Sequence, residues 1–430
     1  MSFWEGIYFL SATAMLFLVT GRLRVVRNSS LSPRLVQLIY LVKVATGLVL
    51  AALYHYYYRN SDIHRYLSDG IIIGQVFFED PLTYFKILLS VDMQSPEVQA
   101  TLQNLNHWSR VHHYGLFNDN MTIVRFNALL YPFTGGNIAV HTAVVNFLSL
   151  FGIMGLIRAF EKNGIRNHQV LVALFLFPEV LLWSSGLLKE GLLFMAMGGY
   201  VFVFFQWIGR SFAWRYVLVF ALSFALGLII KPYVLLCMIP GSLTVVLNRA
   251  FPKLGLGKAL VFVFVLGVAG LFLLDLVGID VPNNIYQKQQ DFLLLAPESG
   301  SFFQSFALEP NWTSLLLHAP EALWNTFSRP MPWNAHNLIS WIPAIENLLV
   351  LVLLFLAVIF PSREIGKRKE LLVFSVLFVL ILFLVVGWVT PISGALVRYK
   401  VPGLPFLLVS LYLLVDQKRL QEGIRKILGK

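Results

Sequence analysis

Two aspartates, Asp62 and Asp69, stand seven residues apart in the stretch YYYRNSDIHRYLSDGIIIGQVFFEDP (residues 56–81), with Arg65 between them. A helix turns about 100° per residue and brings positions seven apart to within about 20° of each other, so the two carboxylates and the guanidinium would share a face. A carboxylate there could act as general base toward an acceptor hydroxyl or amine. It could equally cap a helix or pair with Arg65. A second set is basic: Lys189 in FPEVLLWSSGLLKEG, Lys231 in IIKPYV, Arg329 in SRPMPWN, and Arg398 and Lys400 in VRYKVPGLPF. As a group, in apolar and aromatic surroundings, they suit a phosphate, Arg through forked donors and Lys as a point charge. Taken singly, each could snorkel to the headgroups or pair with a neighbouring acid, Lys189 with Glu190 for instance.

Other polar groups say less. His107, His112 and His113 in HWSRVHHYG are irregularly spaced and have no cysteine near them, a poor pattern for a metal, although a divalent ion is not excluded. Asn120-Met-Thr and Asn311-Trp-Thr match the glycosylation pattern, which matters only in a eukaryotic host. The single cysteine, Cys237, leaves no intrachain disulfide and no cysteine metal cluster.

The elements that must position these residues follow from composition. With 57% hydrophobic and 13% charged residues, the chain has more apolar surface than a soluble core can hide, and it reads as an all-α polytopic membrane protein. Spans are expected near residues 3–20, 35–57, 137–158, 169–187, 188–208, 216–231, 233–248, 259–277, 342–360, 371–388 and 401–416. The whole chain, 1–430, would form a single transmembrane domain with two long outer loops, 58–136 and 278–341. The first apolar run has no basic residue before it and Arg22, Arg24, Arg27 and Arg34 after it, which fits a retained helix with the N-terminus outside.

Eleven spans then leave the C-terminus in the cytoplasm. Loops assigned inside carry 21 Lys and Arg against five acids, while the outer side carries 11 against 17, and Lys43 falls within a span. Most of the net charge of +11 therefore reports orientation, and no nucleic-acid partner is expected. No inner loop is long enough for a nucleotide-binding domain, and no phosphate-binding glycine pattern is present, so chemistry is expected at the outer face. In the first outer loop, Ile63, Tyr66, Leu67, Ile71, Gly74, Phe77 and Phe78 recur at helical spacing, predicting an interfacial amphipathic helix over 62–78 capped by Ser61 or Asp62. A second such helix is expected to begin at Pro81, carrying Tyr84, Phe85, Leu88 and Leu89.

A long first outer loop with an acid just beyond a span, together with FPEVLLWSSGLLKEG (177–191) and RYKVPGLPF (398–406), resembles the GT-C superfamily of integral-membrane glycosyltransferases, the bacterial type related to dolichyl-phosphate-mannose protein mannosyltransferases. The matching pieces cover about a fifth of the chain, which departs from that type by carrying Glu at 179 and an additional helix before the acid. The resemblance implies transfer of a sugar from a polyprenyl-phosphate carrier to a glycan, lipid or protein acceptor at the outer membrane face, in a bacterial cytoplasmic membrane and a cell-envelope polysaccharide setting. The loop acid, and hence the base, would fall on Asp62, with Asp69 second; Arg65 and Glu190 would support, and the carrier phosphate would fall to Lys189, Lys231, Arg329, Arg398 and Lys400. Such a scheme requires no metal or other cofactor. Two other functions fit the same layout: a transporter or flippase of lipid-linked saccharides, which needs polar groups at mid-membrane, and a non-catalytic scaffold of an envelope assembly.

Overall fold

Helix starts are set by short side chains one residue ahead of each apolar run. Ser2 accepts the Glu5 N–H while the Glu5 carboxylate takes the Ser2 N–H, closing a capping box at the start of α1 (Phe3–Arg22). The short α2 (Arg24–Arg27) follows, and Ser32 with Pro33 opens α3 (Pro33–Tyr56). The computed structural model describes residues 2–57, 62–108, 119–208, 213–335, 337–363 and 365–427, and these form two compact units.

Unit 1 comprises Met1–Glu161, Leu181–Val203 and Ala213–Pro232. Beyond α3 it holds α4 (Asp62–Glu79), α5 (Pro81–Leu89), α6 (Pro96–Gln103), α7 (Asp119–Thr134) and nearly all of α8 (Ile138–Lys162). The helices expected over 62–78 and from Pro81 are both present. Asp80 separates them: its carboxylate takes the N–H groups of Leu82 and Thr83 and the Thr83 hydroxyl. These bonds, the hydroxyl first, hold the carboxyl below its ordinary range. The apolar face of α4 is largely covered by α7: Ile63, Tyr66, Leu67 and Ile73 are buried, and Gly70 and Gly74 let Asn127 and Tyr131 approach the α4 backbone. Ser61, the alternative cap, lies outside the described residues.

Unit 2 comprises Lys162–Val180, Phe204–Phe212 and Tyr233–Lys430. It contains α9 (His168–Leu176) and the first turn of α10 (Pro178–Ser185), whose remainder belongs to unit 1. The helix α11 (Lys189–Trp207) lies mostly in unit 1, as does α12 (Trp214–Ile230). Unit 2 continues with α13 (Pro232–Ala250), α14 (Gly255–Leu276), α15 (Val281–Ser299), α16 (Trp312–Ser328), α17 (Leu338–Ile359), α18 (Lys369–Val389), α19 (Ser393–Lys400), α20 (Leu404–Leu414) and α21 (Gln417–Ile427). At its centre α18 packs on α15, α16 and α20, and Phe374 stacks on Phe204 with ring centroids 5.9 Å apart. The outer faces of α14 stay apolar and exposed, as a lipid-facing helix requires.

Each of the eleven expected spans is helical, but nine helices among the described residues are long and apolar enough to cross a membrane. The two exceptions have local causes. The run 169–187 is broken into α9 and α10 at a bend of 58°, where Phe177 precedes Pro178 and is extended rather than helical (φ −55°, ψ 123°). The run 216–231 forms α12, which at 17 residues is short of a full crossing. At the end of the chain the span starts earlier than expected, at Ser393, and turns through a 3-10 step at Val401–Gly403 before α20.

Within unit 1, α8 and α11 meet backbone to backbone. A side chain at Gly198 would overlap the Gly152 carbonyl, and a Cβ at Gly155 would lie 2.7 Å from the Gly198 oxygen. Such small-residue seams take the place of hydrophobic driving force between helices in lipid. Gly198→Leu should therefore lower the melting temperature in detergent by an amount equivalent to about 3 kcal/mol, since no rotamer relieves a clash with backbone. The control Gly257→Leu, where a Cβ meets nothing within 4 Å, should melt with the wild type.

Candidate functional site

The two aspartates are treated differently. Asp69 is fully buried: Oδ1 accepts the Asn106 N–H at 3.2 Å and Oδ2 the His107 N–H at 2.7 Å, with His107 Nδ1 3.8 Å away. Asp62, in the first turn of α4, is half-buried, as is Arg65. The two positions share a face of α4 but differ in burial. The backbone amides that follow α6 need an acceptor once they leave water, and they draw Asp69 into the interior of unit 1.

From α4 a hydrogen-bonded chain runs to the start of α11. The Tyr66 hydroxyl, one turn beyond Asp62, donates to Asn120 Oδ1 at 3.0 Å, and Lys189 Nζ donates to the same oxygen at 2.7 Å. Lys189 also lies 5.1 Å from the centre of the Tyr66 ring. The Asn120 amide donates to the His107 carbonyl at 3.3 Å. Asn120 is buried with its amide engaged, so the first glycosylation pattern is spent on structure; Asn311 is exposed, and its side-chain oxygen caps α16. Lys189 is joined to Asn120, and Glu190 Oε1 receives Lys231 Nζ at 2.7 Å. Lys231 and Glu190 are 2% and 0% exposed.

Deeper in unit 1, Lys43 is buried in the middle of α3. Its amine donates to the Ser184 carbonyl at 3.1 Å, the Ser184 hydroxyl at 2.6 Å and the Ser185 hydroxyl at 3.1 Å.

The remaining three expected cations belong to unit 2. Arg329 Nε donates to Asn325 Oδ1 at 2.8 Å, and its guanidinium lies 4.4 Å over the Phe303 ring. Arg398, on α19, is half-buried. Lys400 is buried: its amine donates to Asn347 Oδ1 and sits 3.7 Å from Glu179 Oε1. Both Glu346 oxygens accept the Glu179 N–H at 3.1 Å, and Asn347 Nδ2 donates to the Pro330 carbonyl at 3.0 Å. Sequence reasoning passed over Glu346 and Asn347, although an acid inside the apolar run SWIPAIENLLVLVLLF is itself a signal of function in a span. Tyr66 and Asn120 carried no such signal, one counted as an apolar face residue and the other as part of a sequon. His112 and His113 lie outside the described residues. Among the described residues no three His, Cys, Asp or Glu side chains are grouped to hold a metal ion.

Among the described residues, buried and internally paired charges with nine membrane-length apolar helices mark an integral membrane protein. Compared with protein-family models, curated proteins and solved structures, the chain matches none.

The Lys231–Glu190 pair can be read by a double-mutant cycle. Lys231→Met and Glu190→Gln should each cost about 3–5 kcal/mol by breaking the buried ion pair, and the double variant much less than their sum. Thermal unfolding in detergent measures all three; additive losses would mean that the two groups do not act as a pair.

Proposed function

We propose that the protein is a membrane glycosyltransferase that moves a sugar from a polyprenyl-phosphate carrier to an acceptor at the outer face, with Asp62 as general base. The observation that supports this most is the placement of an acid and a cation on one connected framework inside unit 1. Asp62 stands half-buried at the start of α4, and one turn on Tyr66 carries the hydrogen bond through Asn120 to Lys189. In the reaction the acceptor oxygen attacks the anomeric carbon, its proton passes to the Asp62 carboxylate, and the bond from that carbon to the phosphate oxygen breaks with its electron pair leaving on the lipid phosphate. Basic side chains stabilise the departing charge. Lys189, which shares unit 1 with Asp62, is the cation on that framework and acts on the phosphate as a point charge.

On this reading Asp69 is a positioning residue, since both its oxygens are occupied by the amides of Asn106 and His107. The Lys- and Arg-rich loops face the cytoplasm and the N-terminus lies outside, in a bacterial cytoplasmic membrane.

Transport or flipping of a lipid-linked saccharide is the second reading, favoured by the buried polar groups inside spans: Lys43 in α3, and Glu346 with Lys400 in unit 2. Reconstituted vesicles separate the two. Covalent transfer from a lipid-linked donor supports the enzyme, and translocation with no covalent product supports the transporter.

With the enzyme, Asp62→Asn should lower the transfer rate at least about 100-fold with the fold intact. A wild-type rate in Asp62→Asn would remove the base assignment. Asp69→Asn should instead speed amide exchange at residues 106 and 107 and cost about 1–3 kcal/mol of stability, because an amide side chain presents one acceptor oxygen where the carboxylate presents two.

A further inference from the structure

Unit 2 buries two acids around one base. Glu179, in the first turn of α10, is 2% exposed, Glu346 in α17 is 5% exposed and Lys400 at the end of α19 is 1% exposed. Both Glu346 oxygens lie 3.1 Å from the Glu179 nitrogen, and Lys400 Nζ lies 3.7 Å from Glu179 Oε1, so the three groups share one buried cluster. Were both ionised, a single ammonium would leave one net negative charge among buried groups, which a low-dielectric interior penalises.

Hydrogen bonding points the same way. Glu346 is supplied, both its oxygens accepting the Glu179 N–H. The Glu179 carboxyl is not: among the described residues neither oxygen has a hydrogen-bond partner although the group is buried, and Lys400, 3.7 Å off, donates to Asn347. A protonated carboxyl gains a donor, which a neighbouring carboxylate oxygen can accept, so one proton would give the Glu179 carboxyl a hydrogen bond and cancel the excess charge together. Among the described residues no second cation is ion-paired with either acid, and α18, packed on α19, carries its charges, Lys369 and Glu370, in its first turn. On α17 the next residue is the neutral Asn347, and α20, which packs on α9 and α17, carries only Tyr412 as a titratable group. On α16 the ionisable residues are His318 and the exposed Glu321; Arg329 is turned to Asn325 and the Phe303 ring, and half-buried Arg398 lies two residues before Lys400.

We propose that Glu179 and Glu346 hold one proton between them, making this carboxyl pair a proton-binding site within the membrane-spanning part of unit 2. The ligand is a proton, and the pair titrates as one unit, not as two separate acids. This assignment stands whether the protein transfers sugars or moves lipids, since it uses neither Asp62 nor a carrier.

Infrared spectroscopy of the full chain in liposomes tests it. The wild type should show a protonated-carboxyl C=O band that persists to neutral pH. Glu346→Gln and Glu179→Gln should each abolish the band, because the remaining acid then pairs one to one with Lys400. Lys400→Met should double it, because both acids must then be neutral. Absence of the band from the wild type at neutral pH overturns the proposal, as does a band unchanged in both glutamine variants. Loss of the wild-type band on adding sodium at constant pH also overturns it, since a metal cation would then be the occupant. Where a variant does not fold, the wild type alone decides by reaction with dicyclohexylcarbodiimide, which labels protonated carboxyls in apolar surroundings: an adduct on Glu179 or Glu346 at neutral pH supports the site, and unmodified peptides at both positions overturn it.

Discussion

Among the described residues four lysine amines are buried, and each ends on an oxygen of the chain itself: Lys43 on Ser184 and Ser185, Lys189 on Asn120, Lys231 on Glu190 and Lys400 on Asn347. An ammonium removed from water is tolerated only with such partners, so each pairing fixes the position of one helix against another. Within unit 1, Lys43 holds α3 to α10, Lys231 and Glu190 join the end of α12 to the start of α11, and Lys189 ties that same start to α7. In unit 2, Lys400 holds α19 to α17. Apolar side chains fill the space between helices, but in lipid they discriminate weakly between one neighbour and another; the polar contacts and the glycine seams supply that discrimination.

The same device recurs in both units. Lys189 donates to Asn120, which donates onward to the His107 carbonyl; Lys400 donates to Asn347, which donates onward to the Pro330 carbonyl. An asparagine in this position accepts from the ammonium without adding negative charge and still provides a donor for a loop carbonyl that helix geometry has left unpaired. Irregular backbone at Asn106–His107 and around Pro330 is thereby held by the residues that hold the charges. The difference lies in what remains: Lys231 and Glu190 cancel each other, whereas Lys400 faces two acids.

How far the sequence could reveal this follows from the range of each interaction. Helix α5 was legible because Asp80 and Pro81 are local signals, and α4 because its apolar spacing survives whatever covers it. The break between α9 and α10 is also local, written in Phe177-Pro178, though hydropathy alone smooths over it. By contrast, Lys189 and Glu190 are adjacent in sequence, yet each bonds a residue far along the chain, 69 and 41 positions away. Nothing in the chain order announces Asn120, and helical phase alone could not foresee that the amides of Asn106 and His107 would draw Asp69 inward. The acid at 346 was visible in its apolar run; its relation to Glu179, across 167 residues, was not.

The bonding of Lys43 has a consequence for how the chain is made. Ser184 and Ser185 lie 141 and 142 residues further along, so during synthesis α3 reaches the membrane long before the oxygens that will receive its amine exist. A lysine at a helix centre costs about 3 kcal/mol at insertion, which the leucines and valines of α3 must outweigh unaided. Until α10 is translated, the amine has only water and headgroups to reach for, and α3 is held toward one side of the bilayer. Arrival of the two serines releases it and locks the helix at its final depth, so the biogenesis of unit 1 has an order: an early span is completed by a later one.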